Sequence, residues 1–402
     1  MSECRPPACC PPEPPAESPL DVVFRMADEP YEAPEAAPCC GTPAGQTTSF
    51  GNDIPGYRLW PFVTGWIQTP VGTVPRVRTG ALECSDILGR WQMRWGLGRD
   101  RYRIAPGLYA VGAPDTEAPV LVTANYKMTF DALRSRLAGV SAWLLVLETH
   151  GINVWCAAGK GTFGTDEVIH RVQATGLDRV VVHRRLILPQ LGAPGVAAHQ
   201  VQKGCGFSVR YGPVRAADLP AFLGAGFKAV PEMRRVTFTS TERLVLTPVE
   251  LMMFWKKETL WILLGLFVFG GLGPGWFSFG AAWQRGWAGI LGGAVGLFAG
   301  AVATPVLLPW LPGRMFAVKG AVTGAAAGLV LLLLGGFAAG FWSSAATLLG
   351  VGAAASFVAM NFTGASPYTS PSGVETEMRR ALPFQVGGGV LAAIAWFIAA
   401  FG

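Results

Sequence analysis

Charge is scarce in this chain. Only 14% of its 402 residues are Asp, Glu, Lys or Arg, against about 25% in ordinary globular proteins. Histidine is scarcer still, with four in all. The phosphate-cradling P-loop is absent: "NVWCAAGKG", the nearest approach, would need Gly at 154 and Ser or Thr at 161, and has Val154 and Gly161. There is no flavin or nicotinamide fingerprint and no C-x2-C spacing. The N-terminus carries no apolar signal-peptide core, so its eight cysteines are expected in a reducing, cytosolic setting, which argues against a disulfide framework. These absences exclude a P-loop nucleotide enzyme, a self-contained redox enzyme and a secreted cysteine scaffold.

What is abundant is apolar, at 51% of residues, and it is unevenly spread. Residues 1–56, with "CRPPACCPPEPPAESP" and "PYEAPEAAPCCGTPAG", bury too little to offset chain entropy and read as a disordered Pro/Cys-rich arm. Residues 57–250 read as an α/β head. Residues 251–402 are almost wholly apolar and read as an all-α transmembrane domain.

In the head, "PVLVTANY", "AWLLVLETHG", "RVVVHRRLILPQL" and "FSVRYGPV" have strand character. They alternate with "TFDALRSRLAG", closed by Gly139, with "TDEVIHRVQATG", capped by Thr165 and ended at Gly176, and with "GVAAHQVQKGCG" and "DLPAFLGAG". Repeated β–α–β units of this length predict a parallel, doubly wound (Rossmann-like) sheet, with ligands beyond the carboxyl ends of its strands.

Five apolar stretches, 259–275, 287–309, 316–338, 340–361 and 382–401, are predicted to cross the membrane, each needing about 20 residues. Gly273, Pro274 and Gly275 interrupt the first. Lys256, Lys257, Arg314, Lys319, Arg379 and Arg380 fall on the side of the head and Arg285 opposite, which predicts a multi-pass protein of the inner membrane with its head in the cytoplasm. No internal acid, histidine or polar run is read at midplane depth, so an anchor is favoured over a transporter.

The net charge of +6 is concentrated in "RWQMRWGLGRDRYR", with Arg90, Arg94, Arg99, Arg101 and Arg103 among Trp91, Trp95 and Tyr102. No nucleic-acid motif accompanies it, so it reads as a solvated loop or a site for an acidic partner rather than for nucleic acid.

The segment "NVWCAAGK" places one thiol on a slim piece of backbone. Asn153 is suited to cap a helix, which puts Cys156 at its third position, where unpaired N–H groups favour negative charge on sulfur. Lys160 adds a positive charge four residues on. Ala157, Ala158 and Gly159 leave room for something broad and flat. A buried cysteine at a strand-to-helix turn is the plain alternative; a metal-binding thiolate beneath a planar cofactor is the sharper one.

"NVWCAAGK" resembles the signature of the corrinoid protein of microbial mercury methylation, over residues 57–402. The head is also similar to the corrinoid-binding domain of the corrinoid iron–sulfur protein of the acetyl-CoA pathway, through "VLVTANY", "AAGK", "LILPQL", "GPVRAADLPAFL" and "NFTGASPYTSPSGVETEM", without that protein's four-cysteine cluster motif. The resemblance implies a corrinoid methyltransferase moving a methyl group from a cobalamin-type cobalt to Hg(II). Cys156 would be the axial cobalt ligand, within a binding segment of Asn153, Val154, Trp155, Cys156, Ala157, Ala158, Gly159 and Lys160. The D-x-H-x-x-G motif that supplies a histidine ligand in many such proteins is absent. A ferredoxin-like partner with two 4Fe–4S clusters and a methyl-folate donor system are implied as well. Thr123 and Asn125, Thr149 and His150, and Leu188, Pro189 and Gln190 end the first three strands and are either corrin contacts or turn residues. Cys9, Cys10, Cys39 and Cys40 are either a relay for Hg(II) or incidental thiols. Competing expectations are another methyl acceptor, or a corrinoid or metal sensor without turnover.

Overall fold

Strands that are apolar along their whole length, such as "VLVTA" and "AWLLVL", can be satisfied only in a sheet covered on both faces. A computed structural model describes residues 60–254, 257–335, 340–366 and 371–401, and it contains such a sheet. Its seven strands are β1 (Val63–Thr69), β2 (Gly72–Val77), β3 (Gly107–Val111), β4 (Val120–Ala124), β5 (Ala142–Leu147), β6 (Arg185–Leu188) and β7 (Ser208–Tyr211), in the order β1-β2-β3-β5-β4-β6-β7. β5, β4, β6 and β7 run parallel, but β3 is antiparallel to β5 and β1 to β2. The sheet is therefore mixed, and the parallel pattern expected from the sequence describes four of its strands.

Alternation along the strands feeds two cores. Val120, Val122, Leu145 and Leu147 meet Val168 and Val172 of α4 (Thr165–Ala174) on one face. Leu121, Leu144 and Val146 meet Phe130 and Leu133 of α2 (Lys127–Arg134), and Phe222 of α7 (Leu219–Gly224), on the other. Between β4 and β6 the chain order reverses: β5 follows β4 to one side and β6 lies on the other. Such a switch point leaves a crevice at the carboxyl ends of the strands.

Two local expectations are corrected. Of the third predicted strand only Arg185–Leu188 pairs, because Leu177–Val180 forms a short helix, α5, that buries Leu177 and Val180. Thr165 is the first residue of α4 rather than its cap; its hydroxyl accepts the Ala197 N–H at 2.9 Å, a tertiary contact that outweighs local capping.

Beyond the head, α8 (Ser240–Leu244) and α9 (Thr247–Met253) lead into α10 (Lys257–Gly270). Among the described residues, four helices are long and apolar enough to cross a membrane: α11 (Phe279–Leu307), α12 (Phe316–Gly335), α13 (Phe341–Asn361) and α14 (Pro371–Ile398). The first expected span is not among them. α10 has 14 residues, about 21 Å of rise against a hydrocarbon layer of about 30 Å. It stops where Leu272–Gly273 and Trp276–Phe277 turn back on each other as a hairpin about Pro274 and Gly275. Gly320 and Gly324 of α12 face α13 so closely that a Cβ at Gly324 would meet the Val351 carbonyl at 2.8 Å, the small-residue packing that membrane helices use in place of a hydrophobic drive.

The bundle holds buried, hydrogen-bonded polar groups. Glu377 accepts the Ala317 N–H at 2.7 Å, Lys319 donates to the Leu308 and Leu311 carbonyls, and the Gln385 amide donates to Ser356 Oγ at 3.0 Å. The first two satisfy backbone groups at helix ends, which would otherwise be orphaned. Head and bundle meet where Phe238 and Leu246 pack on Leu308, Phe316 and Phe362. Arg243 ties Ser240 Oγ to the Val306 carbonyl there.

Candidate functional site

The turn after β5 carries the cysteine segment, and one buried side chain holds it. Asn125, just past β4, has no exposed surface. Its Oδ1 accepts the N–H groups of Thr149 at 3.1 Å and Gly151 at 3.0 Å, and lies 2.9 Å from the Thr149 hydroxyl. Its Nδ2 donates to Glu148 Oε1 at 2.7 Å, and the same oxygen accepts the His150 N–H. The network lets His150 and Gly151 both adopt left-handed φ values of 54° and 72°, a tight reversal that glycine tolerates and histidine rarely does. The chain then emerges at Ile152 and Asn153.

Asn153 caps α3 (Val154–Gly159): its Oδ1 accepts the Cys156 N–H at 2.9 Å. Cys156, half-buried, thus stands at the third helical position. Ala157 and Ala158 turn inward to the core beside Phe163 and Val168, so their small size serves packing. Gly159 and Lys160 are exposed, and a Cβ on Gly159 would meet nothing within 4 Å.

Beside this turn lies a cavity of about 660 Å³ at the switch point. Its walls include Thr123 from β4, Leu188 and Pro189 at the end of β6, and Asn153, Val154 and Trp155 at the start of α3. Phe238 and Leu246 come from the segment joining head and bundle, while Arg90, Arg94 and Arg99 bring positive charge to a mainly apolar lining. The Arg94 guanidinium donates to the Val245 carbonyl at 3.2 Å; burial, and then the neighbouring Arg90, push it down from its ordinary value. Burial pushes the Tyr126 hydroxyl in the wall up, partly offset by Arg99. Arg90 Nε is buried without a hydrogen-bond partner among the described residues.

The predicted residues are thus divided. Thr123, Asn153, Val154, Trp155, Leu188 and Pro189 share the cavity. Asn125 and Thr149 support the turn from behind, the His150 side chain points to solvent, and Gln190 accepts a hydrogen bond from Arg234. Cys205 is half-buried and donates to the Val201 carbonyl, and burial pushes its thiol up. Cys9, Cys10, Cys39 and Cys40 lie outside the described residues. Sequence reasoning missed the arginines as wall residues. The four-residue spacing of Arg90 and Arg94, which puts both on one helical face, was the available signal. Phe238 and Leu246 gave no local signal.

Comparison with known proteins bears on this same region. A family model described as the CO dehydrogenase/acetyl-CoA synthase delta subunit matches residues 97–223, from just before β3 to α7. The acetyl-CoA decarbonylase/synthase complex subunit gamma of Methanopyrus kandleri is 33% identical over 127 residues, 31% of this chain and 27% of that protein. The corresponding subunit of Archaeoglobus fulgidus is 31% identical over 127 residues, again 31% and 27% of the two chains. That of Methanothermobacter thermautotrophicus is 30% identical over 146 residues, 35% of this chain and 31% of its own. The chain thus spans less than a third of the length of these relatives. The family model's match does not include α1 (Cys84–Arg94), the segment 229–246 or the apolar helices. These findings correct the expected family and function: the similarity is to subunits of acetyl-CoA synthase and decarbonylase/synthase complexes, and the assignment to mercury methylation is withdrawn. The octapeptide behind that assignment specifies a capped turn on the cavity wall, which carries no information about a methyl acceptor. What the chain is similar to is a part, less than a third, of acetyl-CoA decarbonylase/synthase complex gamma subunits.

Proposed function

We propose that this chain is a membrane-attached corrinoid protein that takes part in methyl transfer, with its head on the cytoplasmic side. The observation that carries the reading is the cavity at the β4/β6 switch point, built largely from the segment similar to the gamma subunits. The lining suits the group. A corrin is broad and apolar over its faces, and Val122, Ile187, Leu188 and Trp155 offer apolar walls. A cobalamin-type corrinoid also carries a phosphate, for which Arg90, Arg94 and Arg99 are natural partners, with the unpartnered Arg90 Nε spare for it.

A bound corrinoid supplies a cobalt that can take up and give up a methyl group. The chain's own residues do the rest. Asn125 and Asn153 fix the turn that carries Cys156, whose soft sulfur would be the group to hold the cobalt. Trp155, Phe238 and Leu246, apolar residues of the cavity lining, would help exclude water from a bound corrinoid. In this reading a ferredoxin-like protein with two 4Fe–4S clusters provides electrons, a methyl-folate system provides methyl groups, and the acceptor is held by a partner subunit. The basic residues Arg314, Arg379 and Arg380, near the head end of the bundle, support the cytoplasmic orientation.

The test is the full chain purified in detergent from a corrinoid-producing host. Cobalt near one equivalent per chain is expected, with a corrinoid visible spectrum whose bands move in Cys156→Ala. A cobalt-free protein that takes up neither added cobalamin nor cobinamide would overturn the reading.

A further inference from the structure

α1 has a buried side and an apolar outer stripe opposite it. Asp86, Gly89 and Met93 turn inward against the head. On the opposite side Ile87, Leu88, Trp91 and Trp95, spaced three or four residues apart, form a continuous stripe, and Leu97 follows it. This outer stripe is open: Leu88 is 60% exposed and Trp91 57%. A water-facing helix normally puts its charged residues there. In α1 the arginines Arg90 and Arg94 sit at the flank, lining the cavity. A cluster of two tryptophans, two leucines and an isoleucine on an exposed surface marks an interaction site.

The position of α1 indicates the partner. Its C-terminal end touches the segment that enters the bundle: Arg94 donates to the Val245 carbonyl, and a Cβ on Gly96 would lie 3.8 Å from Val249 Cγ2. Val249 belongs to α9, which packs against Ala299–Ala303 of α11, a turn inside the end of a helix long enough to span a membrane. The stripe therefore lies level with the margin of the apolar bundle. Exposed Arg99 and Arg101 follow it directly. Tryptophan at the boundary, aliphatic residues beneath and arginines alongside are the composition of a helix lying in the headgroup layer.

We propose that the outer face of α1 is immersed in the phospholipid surface, a second attachment that fixes the head against the membrane beside its cavity mouth. The proposal rests on the reading of α11 to α14 as membrane-spanning.

The full chain is reconstituted in vesicles of phosphatidylcholine and phosphatidylglycerol, with acyl chains brominated near the headgroup or near the terminal methyl. Emission of Trp91→Phe/Trp95→Phe is subtracted from that of the native chain; both side chains are exposed, so the substitution leaves the packing of the head alone. The difference emission should be blue-shifted and lose at least about half its intensity to the shallow bromines, with little quenching by aqueous acrylamide. A water-like difference emission quenched by acrylamide would overturn the proposal. So would a blue-shifted emission indifferent to bromine, which would mean that protein covers the face. The tryptophans of the apolar helices report separately: if deep bromines leave total emission untouched, the membrane reading itself fails and the proposal falls with it.

Discussion

Replacing Asn125 by Ala gives the sharpest test of how the cysteine turn is held. The substitution removes the acceptor for the buried N–H of Thr149 and the part-buried N–H of Gly151, and the donor to Glu148. The Thr149 hydroxyl keeps an alternative in the Ile152 carbonyl at 2.8 Å, so it is not orphaned. Each unsatisfied buried amide costs about 1–3 kcal/mol, with some of that recovered if water enters the vacated polar space. A net cost of about 2–3 kcal/mol corresponds to roughly 30- to 150-fold faster local opening. Hydrogen–deuterium exchange of the full chain should show that acceleration at residues 149–156, with β4 and β5 themselves little changed. Asn125→Asp separates acceptor from donor: it keeps the accepting oxygen but replaces the donating amide nitrogen with a second oxygen, setting a carboxylate against Glu148, so it should also loosen the turn, through repulsion rather than orphaned amides. High salt should partly mask the effect of Asp and leave that of Ala alone. Exchange within about threefold of the native chain in Asn125→Ala would refute the account, since even one orphaned amide should exceed that.

Lys127, buried with its ammonium 2.6 Å from both Asp86 and Asp131, should be costly to lose. Lys127→Met is expected to destabilise the head by about 3–5 kcal/mol, measured by denaturant unfolding, because two buried carboxylates are left to Arg134 alone. Burial alone would raise the Asp86 carboxyl, but hydrogen bonds from Lys127 and Arg134 more than offset it and hold it below its ordinary value of 3.8. A depressed carboxyl contributes stability above that value and loses it as pH falls further, so acid unfolding of the head should steepen below about pH 4, and Asp86→Asn should flatten that limb. Gly159→Leu should leave thermal unfolding unchanged, because its Cβ has open space, yet lower cobalt occupancy if the cofactor lies against α3; a drop in stability would contradict the geometry. Phe238→Ala, on the cavity side, and Phe362→Ala, on the bundle side of the same contact, should both speed cofactor release, and an effect of Phe238 alone would show that the bundle does not brace the cavity.

What the sequence could reveal follows from the range of the interactions involved. Fully apolar strands and the Asn153 cap are local, and both were legible. β3 was not, because "GLYAV" is too short to declare a direction, and its antiparallel pairing with β5 is decided by the partner edge. Asn125 read as either a corrin contact or a turn residue, and its part as a buried brace of the turn was not legible, since a side-chain amide gives no sign in sequence of which N–H groups it will meet 24 to 26 residues away. The shortened first span shows a different limit: hydropathy counted through Gly273 to Gly275, but a helix cannot continue through that Gly-Pro-Gly segment.

The cavity combines parts of two kinds. Its floor and the capped turn come from residues 97–223, the portion that the delta-subunit family model matches. Arg90 and Arg94, Val236, Phe238 and Leu246 come from outside that portion. Of these, Phe238 and Leu246 rest on Leu308, Phe316 and Phe362, so the roof of the cavity is also the base on which the head meets the bundle. Opening the roof must disturb that apolar cluster, and anything that tilts the head must disturb the roof. A cavity needing only to hold a ligand could be closed by any loop of the head. Closing it with the segment that leads into the apolar helices makes access to the site depend on how the head sits on them. That dependence lies in the part of the chain outside the family model's match.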